Sequence, residues 1–242
     1  MTDRPIVLLR HPRISSGADP YVQALQSLSV SVQCTPVLAF DIDPPPTLDV
    51  LLARPARYDA LLCTSPRAVR ALEQVLPSTH PNHARWADKP AYVVGPRTAQ
   101  AVAEWGGTPV GADAGGAAAL ADQIVADAPG PLLFVSGNRR RDTLPNALVS
   151  AGQMFDEVES YRTRTRSTLN LPPPPAWLVF FSPSGTEAVQ ASGYDLASYP
   201  CAAIGPTTAT ALREQGAAVR AVADAPTPEA LATAVQEAIA SP

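Results

Sequence analysis

The sequence predicts an α/β protein with two similar doubly wound parallel-sheet domains, one of them discontinuous, joined by a two-stranded antiparallel linker. Three observations predict it. Short runs that are apolar throughout, such as Ile6–Leu9, Ala60–Cys63 at the end of Tyr58–Cys63, and Trp177–Phe181, alternate with segments of helical spacing. Strands of that kind are buried on both faces, as in parallel sheets covered by helices. One stretch occurs twice without a gap: Val94-Gly95-Pro96-Arg97-Thr98-Ala99, with Ala101, Glu104 and Gly106 beyond it, matches Ile204-Gly205-Pro206-Thr207-Thr208-Ala209, with Ala211, Glu214 and Gly216. Finally, the proline runs Pro44-Pro45-Pro46 and Pro172–Pro175 break the pattern at two places.

Taken in order, Ile6–Arg10 reads as a strand, Tyr21–Leu28 as a helix and Val30–Cys34 as a strand, followed by an extended segment to Asp43. Thr47 is placed to cap a short helix running to Arg54. Strand Tyr58–Cys63 leads through Thr64-Ser65-Pro66 into a helix to Leu76, and Ser78–Asp88 reads as a polar connector. Strand Ala91–Val94 enters a helix ending at Trp105. After a short strand at Thr108–Val110 comes an alanine-rich helix, Ala117–Ala126. Strand Pro131–Val135, a loop Ser136–Arg141 and a helix to Ala151 follow, then an extended segment ending at Tyr161. Beyond the second proline run the same alternation returns, closing with a helix in which Thr227 caps and Pro228 takes the first position. Only two strands precede the first break, whereas a full copy lies between the breaks. Residues 1–36 with 172–242 are therefore expected to form the discontinuous domain, 45–157 the inserted one, and 37–44 and 158–171 the linker strands.

Composition excludes several classes. The chain has 242 residues, 46% hydrophobic and 17% charged, with a net charge of −4. That suits a globular protein and gives no electrostatic footprint for nucleic acid. No apolar run reaches membrane-spanning length. Cys34, Cys63 and Cys201 are scattered and outside any CxxC pair, as expected of reduced thiols in the cytoplasm. His80 and His83 sit in the Ser78–Asp88 connector, without partners at metal-ligand spacing, and read as surface residues. No phosphate-loop, dinucleotide or nucleophile-elbow motif is present.

What remains is a set of hydroxyls and backbone amides at strand C-termini: Thr64, Ser65, Gly95, Thr98, Ser136, Gly137, Ser182, Ser184, Gly205, Thr207 and Thr208. Strand C-termini line the ligand crevice of an open parallel sheet, and helix starts suit anions. Each residue alone reads first as a helix cap; the whole set, present in both halves, suits a ligand with several anionic groups. Arg10, Arg67, Arg97 and Arg139–Arg141 are candidate carboxylate partners, although the last run also reads as a solvated loop.

These residues resemble those of the uroporphyrinogen-III synthase family. The resemblance covers essentially the whole chain. It rests on Arg10, Pro36, Tyr58-Asp59…Thr64-Ser65-Pro66-Arg67-Ala68-Val69 and Val94-Gly95…Thr98-Ala99. It continues through Ser136-Gly137…Leu144…Leu148…Gly152, Tyr161 and Phe181-Ser182-Pro183-Ser184-Gly185. Its strongest part is the Ile204–Ala209 block with Gly216 and Pro226-Thr227-Pro228-Glu229-Ala230-Leu231. The resemblance implies two α/β domains with hydroxymethylbilane in the cleft between them, cyclised to uroporphyrinogen III with inversion of ring D. It implies Tyr161 as general acid, and Arg10, Thr64, Ser65, Gly95, Thr98, Ser136, Gly137, Arg140, Ser182, Gly205, Thr207 and Thr208 as substrate-binding residues. It implies no cofactor and no metal. A cytoplasmic monomer in transient contact with the bilane-forming enzyme, and without nucleic-acid or membrane partners, is the accompanying expectation. The alternative is a non-catalytic two-domain binder of a carboxylated small molecule.

Overall fold

Runs that are apolar throughout become the central strands, because only a strand covered on both faces can bury every side chain. In β1 (Ile6–Leu9), β4 (Ala60–Cys63) and β9 (Trp177–Phe180) all residues are buried. Successive residues point to opposite faces. Val7 and Leu9 thus enter one core while Ile6 and Leu8 enter another, and Leu61 and Cys63 part from Ala60 and Leu62 in the same way. Each sheet is a middle layer between two helical layers.

The computed structural model describes residues 5–12, 18–127, 129–174 and 176–240. Residues 13–17, between the expected first strand and first helix, and Pro175 of the second proline run lie outside these residues. The remaining strands are β2 (Val32–Cys34), β3 (Leu38–Ile42), β5 (Pro90–Val93), β6 (Thr108–Val110), β7 (Leu132–Gly137), β8 (Phe155–Thr165), β10 (Pro200–Ala203) and β11 (Ala218–Val222). The helices are α1 (Pro20–Gln26), α2 (Pro46–Leu52), α3 (Pro66–Val75), α4 (His83–Ala87), α5 (Pro96–Trp105) and α6 (Ala117–Asp127). They continue with α7 (Thr143–Ser150), α8 (Ser184–Ala191), α9 (Pro206–Glu214) and α10 (Pro228–Ala240). Among the described residues no helix is long and apolar enough to cross a membrane.

One sheet has the order β11-β10-β9-β1-β2, the other β3-β8-β7-β4-β5-β6. Strand pairing is parallel across the first sheet and from β8 to β6 in the second. Matching β9 with β4, β10 with β5, β11 with β6, β1 with β7 and β2 with β8 superimposes the two orders. One sheet is a circular permutation of the other. The chain divides into two compact units, Met1–Ala39 with Arg164–Pro242, and Phe40–Thr163. It therefore passes between them twice.

Several boundaries differ from expectation, for local reasons. Thr47 does not cap α2; Pro45 holds the cap position and Pro46, with its φ already helical, starts the helix. Ser136 and Gly137 belong to β7 rather than to the loop after it. The Ser78–Asp88 connector contains α4, whose Trp86 is buried and donates from Nε1 to Leu52 O at 2.8 Å. His83 is on that helix, not on a surface loop: its Nε2 lies 3.0 Å from Trp105 O and its ring packs edge-on against Trp105. The stretches expected as linker strands supply β3 and β8, neighbours within the six-stranded sheet. Strand β8 continues past Tyr161 to Thr165, so Tyr161 stands inside a strand and not at its end.

Candidate functional site

In the unit Phe40–Thr163, chain direction across the sheet reverses between β4 and β7, which makes their C-terminal ends the crevice. Thr64 and Ser65 follow β4. Ser65 has extended backbone and caps α3, its Oγ accepting from Arg67 N at 3.2 Å. Ser136 and Gly137 end β7, Ser136 with its backbone carbonyl taken by Ser160 Oγ at 3.1 Å. Gly137 is opposite Tyr161 in the ladder. A Cβ there would lie 2.7 Å from Tyr161 Cε1 and closer still to Cζ and Cε2, so the phenol ring rests on the bare glycine. Tyr161 is half-buried and packs against the core under α3.

Arg67 completes this corner. Its guanidinium carbon lies 3.3 Å from the centroid of the Phe40 ring. Burial lowers its pKa, the nearby Tyr161 phenol opposing that shift and Arg70 adding to it.

Beside Gly137 is a hollow of about 530 Å³ lined by Ser136, Gly137, Asn138, Arg140, Asp142, Glu157 and Glu159. Arg140 is held by Glu157 through Nε and Nη2 and by Asp142 through Nη1. These contacts raise its pKa, the Glu157 bond most. Its charge is thus already answered by its own chain.

Gly95 holds the N-cap position of α5 with φ +80° and ψ 161°, and Pro96 takes the first helical position. That backbone region is open essentially to glycine alone. Thr98 is 2% exposed: its side chain faces inward, leaving its backbone N–H among the first-turn amides that lack intrahelical acceptors.

In the other unit the corresponding reversal lies between β9 and β1. Arg10 follows β1, near the place that Ser136 and Gly137 hold at the end of β7 in the other unit. It pairs with Asp19 and lies over the rings of Tyr21 at 5.0 Å and Phe181 at 4.8 Å. Asp19 also accepts from Tyr21 N at 3.0 Å and so caps α1. After β9, Ser182 Oγ is 2.8 Å from Ser184 Oγ. Gly205 precedes α9 with extended backbone, φ 175°, and a Cβ there would meet nothing within 4 Å. Thr207 is exposed, while Thr208 is 5% exposed and faces inward like Thr98. Neither threonine is the N-cap, which is Gly205. The pair of turns therefore offers backbone N–H groups rather than threonine caps.

Known proteins decide the family. The model of the family described as uroporphyrinogen-III synthase HemD matches residues 19–233, spanning parts of both units. The chain belongs to the uroporphyrinogen-III synthase family. It is 32% identical over 205 residues to the uroporphyrinogen-III synthase of Saccharomyces cerevisiae, covering 73% of this chain and 74% of that one. It is 28% identical over 239 residues to the synthase of Schizosaccharomyces pombe, covering 91% and 92%. Its fold is like that of the crystal structure of uroporphyrinogen-III synthetase from Helicobacter pylori, with a TM-score of 0.64 at 21% identity over 98% of this chain and 99% of that chain.

Within this member of the synthase family, Ser160, Asn138, Phe40, Asp19 and Tyr21 enter the site only with the structure. Two carried sequence signals. Asp19 before Pro20 is a cap-and-first-position pair. In the Glu157–Arg166 stretch the charged residues fall at Glu157 and Glu159, then at Arg162, Arg164 and Arg166. That slip of phase marks Ser160-Tyr161 as irregular. Among the described residues no group of three or more His, Cys, Asp and Glu is arranged to hold a metal ion.

Proposed function

We propose that this chain is the cyclising lyase of its family, converting hydroxymethylbilane to uroporphyrinogen III with inversion of ring D. The observation that carries the reading is the family match across residues 19–233. The geometry supports it at each strand-end crevice. The substrate is a linear tetrapyrrole bearing acetate and propionate groups, so binding it needs anion acceptors at several places. The first-turn amides of α5 and α9, with the hydroxyls of Thr64, Ser65, Ser182 and Thr207 and the backbone at Ser136, Gly137, Gly95, Thr98, Gly205 and Thr208, supply them. Arg10 and Arg140 would contribute only by sharing charge with the carboxylates they already hold.

Tyr161 is the proton donor in this proposal. Its O–H proton goes to the departing hydroxyl oxygen, water leaves, and the bilane becomes an electrophilic azafulvenium cation beside the Tyr161 phenolate. Arg67 faces the phenolate that remains. Attack from the substituted carbon of ring D gives a spiro intermediate. The bond from that carbon to its original bridging methylene then breaks, and the methylene re-bonds at the free α-carbon of ring D. The proton lost there returns to the phenolate and leaves the type III macrocycle, whereas the unassisted bilane closes to type I. The enzyme's contribution is chiefly to orient ring D, which is catalysis by positioning. The protein is proposed to act in the cytoplasm as a monomer in transient contact with the enzyme that forms the bilane. The three thiols, Cys34, Cys63 and Cys201, are all free, as a reducing compartment requires.

Supplying hydroxymethylbilane and separating the products by chromatography tests the assignment. Type III product in excess over type I is expected. Type I alone, at the spontaneous rate, would leave a binding protein without the activity.

A further inference from the structure

Strand β8 reads in two phases. Glu157 and Glu159 are exposed while Val158 and Ser160 are buried; beyond them Arg162 and Arg164 are exposed while Tyr161 and Thr163 are half-buried. The ladder with β7 shows why. Ser136 is opposite Glu159 and Gly137 opposite Tyr161, so Ser160 is an extra residue without a partner of its own. This is a β-bulge, which kinks one strand and re-aims the side chains after it. Strict alternation from Val158 would bring residues 160 and 162 to its face of the sheet. The extra residue turns Arg162 outward and brings Tyr161 inward onto Gly137.

The irregularity is fixed on both sides. Ser160 is 0% exposed, and its hydroxyl donates to Ser136 O at 3.1 Å, so the bulge leaves no buried hydroxyl unpaired. Immediately after it, Asn138 N donates to Tyr161 O at 3.3 Å. The Asn138 side chain then accepts from Thr163 N at 2.8 Å and donates to Thr163 O at 3.3 Å. Gly137 between them carries no side chain where the phenol ring lies. We propose that the Ser160 bulge, closed by Ser136 and clamped by Asn138, is the device that aims the Tyr161 phenol, so that Ser160, Gly137 and Asn138 are positioning residues for the proton transfer. The inference rests on the reading of Tyr161 as proton donor.

Its test uses the full chain with ¹³C-labelled tyrosine rings, the Tyr161 signal being assigned by its loss in Tyr161→Phe. In Ser160→Ala and Asn138→Ala the Tyr161 ring signal is expected to move. The kcat on hydroxymethylbilane should fall on the order of tenfold, with KM within about twofold of the original, because a general acid out of line loses part of its roughly 10²–10⁴-fold contribution. Gly137→Ala should do the same more severely; if it does not fold, the other two variants decide. An unmoved Tyr161 signal in both would overturn the proposal, and so would a moved signal with unchanged kcat. Full turnover in Tyr161→Phe is a separate result, which removes the proton-donor reading while the ring signal still reports whether the bulge places the phenol.

Discussion

Tyr161 and Thr208 both turn inward, but the proposed function gives only the first a proton to transfer. Replacing Tyr161 by Phe keeps the ring on Gly137 and removes the proton, so turnover should fall by on the order of 10²-fold with little change in melting temperature. Thermal melts beside the product assay separate the two effects. Thr208, at 5% exposure, holds its side chain in the interior. Thr208→Val should therefore cost about 1 kcal/mol of stability or less and leave the type III fraction near its original value, since the backbone amide is untouched. Other buried groups govern alkaline behaviour. Burial pushes Cys63 and Cys201 from 9.0 up to about 12. Burial, together with the bond to Asp156, pushes Tyr58 from 10.0 up to about 12. The folded state holds these protons more tightly than the unfolded chain, so the stability they confer is complete below about pH 9 and is lost as pH rises toward 12. The urea midpoint should drop progressively above pH 9, and less steeply in Cys63→Ala.

At the scale of elements, the two Gly-Pro turns share a sequence pattern but not a backbone. Gly95 has φ +80° and Gly205 φ 175°. Gly95→Ala should cost about 1–3 kcal/mol, because an alanine is strained in that conformation. Gly205→Ala meets open space and an ordinary extended backbone, so it should be close to neutral in denaturant titration. In the proposed binding mode its methyl would stand where a substrate carboxylate reaches the first-turn amides of α9, so KM for hydroxymethylbilane should rise. Wild-type kinetics in that variant would take the α9 turn out of the site. The α/β class was legible because apolar runs and Gly-Pro stops are local signals. Helix α4 was not legible: its five residues are too few for a helical period, and Trp86 alone marks the buried side. The bulge escaped because a strand ending at Tyr161 and a strand shifted at Ser160 look alike until the ladder pairs Gly137 with Tyr161. The caps assigned to threonines failed at α5, α9 and α2 for one reason. A proline at the first helical position hands the cap to the residue before it.

Over the whole molecule, the two sheets share one strand order and differ in where the chain enters it. Gly95–Gly106 and Gly205–Gly216 exposed this kinship in the sequence because both copies keep the same spacing. The permutation has a kinetic side. In the unit Phe40–Thr163 every pairing is made within one continuous stretch, whereas Ile6 must find Trp177 across roughly 170 residues of chain. Closing the longer loop is the costlier step, and non-local pairing slows folding. Pulse-labelled hydrogen exchange during refolding should show amides of Leu132–Val135 protected before those of Ile6–Leu9; simultaneous protection would mean that the two units fold as one.

The double passage of the chain between its units has a counterpart in how the polypeptide could be rewired. If the existing ends were joined by a flexible segment and a new opening made after Arg166, each unit would become an uninterrupted run, first the strands β9 to β2 and then β3 to β8. Such a chain would keep every strand pairing and every side chain of the site, yet would be tethered once where the natural one is tethered twice. Any difference in turnover between the two would measure what the second tether contributes to catalysis, apart from all the residues proposed to touch the bilane.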